Sequence, residues 1–69
     1  MPITMITPGQ TSQIQKITGK DEIRRFLSTL GFVEGEYVSV VNDMGGNMIL
    51  NIKGTRVALD KTLAQRIIV

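Results

Sequence analysis

The sequence predicts a mainly β chain, a small barrel of about five strands. One short helix follows the first barrel strand and a helical turn precedes the last. Three observations lead there. Ile23, Phe26, Leu27 and Leu30 recur at i, i+3, i+4 and i+7, which gives a helix one apolar stripe. Val-rich and alternating segments follow it closely, at residues 36–42, 48–53 and 55–59. Glycines punctuate them at Gly31, Gly35, Gly45, Gly46 and Gly54, where tight reversals are needed. Closing such a meander on itself removes exposed strand edges.

The elements follow in order. Residues 2–7 alternate loosely and fit an edge strand or an ordered arm. Pro8-Gly9 is a turn signal. Residues 12–18 hold Ile14 and Ile17 among polar neighbours, a first barrel strand with an irregularity between the two. The helix is expected over residues 20–30, with Thr18 or Gly19 as its cap. Asp21 and Glu22 in its first turn suit the positive end of the helix dipole. Gly31 follows the last stripe residue, where a helix can end in a left-handed conformation. Phe32 then either packs under the helix end, as in a Schellman motif, or stands out as an apolar anchor.

Residues 36–42 form a strand built on Val38, Val40 and Val41, and residues 42–47 form its hairpin turn. The return strand places Met48, Leu50 and Ile52 on one face. After Gly54, Val57 and Leu59 share a face opposite Arg56 and Ala58. Asp60 reads as the N-cap of a turn or two running to Arg66. Residues 67–69 are the strand that would close the barrel.

Size and composition bound the function. The 69 residues make one domain, 1–69, in which about 60% of the unfolded surface is buried on folding. The chain has no cysteine and no histidine, so His- or Cys-based triads and zinc sites of Cys and His are excluded. The six carboxylates, Asp21, Glu22, Glu34, Glu36, Asp43 and Asp60, form no calcium-loop pattern. No catalytic residue, metal ligand or cofactor is expected. A net charge of +2 and three aromatic residues, Phe26, Phe32 and Tyr37, argue poorly for nucleic acid. Phe26, on the stripe, is expected in the core. The start of the chain lacks a basic segment followed by a long apolar one, and no run is long enough to span a bilayer. The expected location is the cytosol.

Two surfaces are candidates for partner binding. Arg24 and Arg25 lie off the apolar stripe with Ser28 on the same side. They form either a solvated helix face or a docking patch for an acidic partner, which Lys20 and Arg56 could extend. Met44, Gly45 and Gly46 form the tip of the first hairpin. Met44 is expected to be exposed and Met48 to pack in the core. Thioethers suit soft metals, so the two methionines make a poor site for ferrous iron.

Several segments together resemble the FeoA family of bacterial ferrous-iron uptake systems. They are Pro8-Gly9, Ile17-Thr18-Gly19, Arg24-Arg25-Phe26-Leu27 and Leu30-Gly31-Phe32-Val33-Glu34-Gly35. Val38-Ser39-Val40, Gly54-Thr55-Arg56-Val57-Ala58-Leu59 and Ala64-Gln65-Arg66-Ile67-Ile68-Val69 complete the pattern. The resemblance covers nearly the whole chain in order. This chain departs from it at Glu34, where proline is frequent, and at Asp60, where a basic or hydroxyl residue is. The resemblance implies a Src-homology-3-like barrel, standing alone rather than fused behind a DNA-binding domain. It further implies a non-catalytic role in iron homeostasis, at the inner face of the plasma membrane. The partner it implies is the membrane ferrous-iron transport GTPase. A general ligand- or nucleic-acid-binding barrel outside iron transport is the alternative.

Overall fold

A computed structural model describes residues 1–69. The chain runs β1 (Thr11–Gln13), β2 (Lys16–Ile17), α1 (Asp21–Thr29), β3 (Tyr37–Met44), β4 (Asn47–Ile52), β5 (Thr55–Asp60), α2 (Lys61–Ala64) and β6 (Ile67–Ile68). A 3-10 turn, Ile3–Met5, precedes them where an edge strand or arm was expected. Its Ile3 is fully buried, and Pro2 bridges to Ile68.

The expected barrel does not close. The strands form a four-stranded antiparallel sheet, β1-β3-β4-β5, and a separate two-stranded sheet, β2-β6. The segment expected as one strand divides between them. β1 pairs with β3, with Ser12 opposite Val38, and β2 pairs with β6, with Ile17 opposite Ile67. Ile14 and Gln15 carry the chain across: the Ile14 N–H donates to Glu36 O at 2.9 Å and the Gln15 N–H to Ile68 O at 2.7 Å. On the far side no ladder joins β5 to β6. There α2 packs on β4, β5 and the 3-10 turn, burying Ala64 and Ile3.

The meander keeps its register through alternation. Met48, Leu50 and Ile52 on β4 point inward with Val38 and Val40 on β3 and Leu59 on β5. A register shift between Val40 and Asn42 leaves Val41 as an extra residue in β3, a bulge that turns the distal half of the hairpin. The turn is Gly45-Gly46, with Gly45 at φ 61° and Gly46 outside the positive region, which suits a two-residue type II′ loop.

The helix ends as its sequence requires. Gly31, at φ 102°, sends its N–H to Ser28 O, and Phe32 sends its own to Leu27 O, both at 3.0 Å. That pair of bonds is a Schellman motif, and its hydrophobic partners Leu27 and Phe32 are both fully buried. The start differs from expectation. The cap position is Lys20, with no side-chain cap bond, rather than Thr18 or Gly19. Asp21 and Glu22 occupy the first turn.

Phe26 lies outside the core where it was expected. It is 48% exposed, and Leu27 is the one fully buried residue of α1. Ile23 and Leu30 are half-buried against the core. A nine-residue helix lying on the edge of a small core covers a narrow strip of itself, so the outer stripe residue stays in water. No helix of the chain is long and apolar enough to cross a membrane.

Candidate functional site

The helix face gathers its expected residues. Arg24, Arg25 and Ser28 line an open concavity of about 370 Å³ together with Asp21. Their spacing explains this, since residues three and four apart on a helix are neighbours. Arg24 Nη1 lies 3.5 Å from Asp21 Oδ1, with both side chains more than half exposed. The ion pair is therefore a weak, solvated one. Arg25 has no carboxylate partner among the three ion pairs of the chain.

A second concavity, of about 190 Å³, shares Arg24 and Ser28 and continues along Ile17, Phe32, Val33 and Glu34. Asp21 and Arg25 line only the first, and Ile17, Phe32, Val33 and Glu34 only the second. Sequence reasoning did not include Asp21, Val33 or Glu34. The Asp21–Arg24 spacing was the available signal for the first. The other two arrive only because the Schellman turn folds the chain back under the helix.

Met44, Gly45 and Gly46 line neither concavity, so the two expected patches are separate. Met44 is 60% exposed at the hairpin tip, while Met48 is fully buried. The tip is anchored on α2. The Lys61 N–H donates to Gly46 O at 2.9 Å, and Lys61 Nζ lies 2.9 Å from Asp43 Oδ1. Arg56 stands on the outer face of β5, opposite Asn51, and joins neither patch.

The groups gathered on α1 are two guanidinium groups, a hydroxyl and a carboxylate, all open to water. No three His, Cys, Asp or Glu side chains come together in a cluster that could hold a metal ion. The exposed aromatic residues are Tyr37, at 62%, with no aromatic neighbour on its strand, and Phe26, at 48%, on α1.

The FeoA domain family model matches residues 1–69, the whole chain. The chain belongs to the FeoA family. Solved relatives agree. An FeoA described as an iron uptake regulatory protein is 26% identical with a TM-score of 0.90, covering 97% of this chain and 91% of that one. Iron(II) transport protein A from Clostridium thermocellum is 26% identical, TM-score 0.91, covering 99% of this chain and 43% of that one. Stenotrophomonas maltophilia FeoA, solved in complex with zinc, is 27% identical, TM-score 0.86, covering 99% and 87%. No curated protein matches the chain by sequence.

Proposed function

We propose that this FeoA-family chain is a non-catalytic accessory of bacterial ferrous-iron uptake. It acts on the cytosolic side by contact with the membrane ferrous-iron transport GTPase. The observation that carries this reading is the family match over residues 1–69. The names of two relatives point the same way: one is an iron(II) transport protein and another a candidate activating factor of ferrous iron transport. A chain without histidine or cysteine has few means of turnover or of holding ferrous iron. Protein contact is the role its surface suits.

Within that reading, the α1 face is the docking surface and Arg24, Arg25 and Ser28 its polar contacts. Two arginines beside a shallow hollow can pair with carboxylates of a partner in bidentate fashion, which fixes orientation as well as attraction. The Met44-Gly45-Gly46 tip is a second contact, a flexible thioether on an anchored turn. Charge reversal of both arginines, Arg24→Glu with Arg25→Glu, should weaken binding to the GTPase about tenfold or more while the melt is unchanged. Met44→Asp should weaken it only if the tip also touches. Calorimetric titration of each variant separates the two patches. Unchanged affinity in the double arginine variant removes the helix face from the interface.

A further inference from the structure

β5 has a neighbour on one side only. It ends the β1-β3-β4-β5 sheet, paired with β4 from Thr55 to Asp60 and with no strand beyond it. The turn that leads into it is Lys53-Gly54, with φ of 51° and 76°. Two positive values mark a type I′ hairpin, closed by a hydrogen-bonded pair, here Ile52 and Thr55. Such pairs then alternate along the ladder. Thr55, Val57 and Leu59 thus turn their backbone groups toward β4. Those of Arg56 and Ala58, and the N–H of Asp60, face outward. No backbone hydrogen bond from the turns, loops or caps reaches residues 55–60. The strand is six residues long with no proline, an edge left open to pairing.

Its side chains suit one particular partner. If two copies of β5 run antiparallel with Ala58 opposite Ala58, Arg56 of each copy faces Asp60 of the other. Val57 of each faces Leu59 of the other. Arg56, Ala58 and Asp60 share the outer face of the sheet, where all three are exposed. Arg56 forms none of the ion pairs within the chain. Asp60 engages Oδ1 as the cap of α2 and keeps Oδ2 available. Ala58, at the two-fold axis, is small enough for close approach. Moving the axis to Arg56 or to Asp60 sets like charges opposite one another, which destabilises a strand pair, and moving it to Val57 or Leu59 parts Arg56 from Asp60.

We propose that the chain forms a two-fold dimer through β5, joining two four-stranded sheets into one of eight strands. Ala58 N–H donates to Ala58 O of the second copy and Asp60 N–H to Arg56 O, each bond occurring twice. Two Arg56–Asp60 pairs flank the axis. This interface is isologous, so it closes at the dimer. It uses a surface apart from α1 and stands or falls independently of the GTPase reading.

Sedimentation of the full chain from micromolar to millimolar concentration tests it. A monomer–dimer equilibrium is expected, weakened by salt. Arg56→Asp, which puts two carboxylates opposite each other twice, should raise the dimer Kd about tenfold or more. Ala58→Pro removes the central donor, which does not serve β4, and should leave a folded monomer. Arg56→Asp carries the test if the proline variant fails to fold. A wild-type chain that stays monomeric throughout overturns the proposal and leaves the edge to an extended segment of another protein. A dimer that survives both changes overturns it too.

Discussion

Leu27 and Arg24 sit one turn apart on α1 and should answer oppositely to alanine. Leu27 is fully buried beside Phe32 at the Schellman turn. Leu27→Ala leaves a cavity in a core of twelve residues and should cost about 2–5 kcal/mol. Arg24 is more than half exposed, and its ion pair is solvated. Arg24→Ala should cost within about 0.5 kcal/mol. Denaturant melts of the two variants check this, and equal costs would reverse the helix face. At this scale the sequence was legible where a residue's role was local. Gly31, Phe32, Asp60, Met44 and Met48 all took their expected places, because turn geometry, capping and strand alternation fixed them. Phe26 did not, because periodicity says which side of a helix is apolar and not how far the core reaches around it.

At the scale of elements, the second hairpin holds a strained residue. Lys53 is the one non-glycine residue at positive φ, a conformation that costs most side chains roughly 1–2 kcal/mol. Its ion pair with Glu36, at 3.9 Å, offsets little of that. Lys53→Asn makes the turn Asn-Gly, the preferred type I′ pair, and should stabilise the chain by about 0.5–1 kcal/mol in a thermal melt. A lower melting temperature would mean that Lys53 is held by contacts stronger than its exposed ion pair. The division of the first expected strand into β1 and β2 belongs to this scale too. An irregularity between Ile14 and Ile17 was readable in the pattern. Which half would pair with β3 and which with β6 was not, since register between distant segments leaves no mark in either segment alone.

The whole molecule is mostly β, with two small sheets and two short helices rather than a closed barrel. Closure could not be read from the order of elements. It depends on whether β5 meets β6, and the two lie in different sheets. The candidate site was legible in part for a related reason. The helix supplies Arg24, Arg25 and Ser28 in sequence, whereas Val33 and Glu34 come beside Arg24 and Ser28 through the fold. A core built wholly of apolar side chains, with no cluster of metal ligands, should fold without a metal ion. Dispersed amide signals are expected to persist in excess chelator. Their collapse, reversed by ferrous iron, would contradict that.

The central claim is that this chain works by binding the ferrous-iron transport GTPase and turns over nothing itself. Titration calorimetry of the folded wild-type chain, against the isolated cytosolic GTPase domain and against the full transporter, tests it most directly. Nucleotide-free, diphosphate and triphosphate states should each be sampled, because a partner of a switch protein binds its states unequally. The account predicts saturable binding in at least one state, lost or reduced about tenfold when Arg24 and Arg25 are reversed. No binding in any state, with the chain folded throughout, would contradict it.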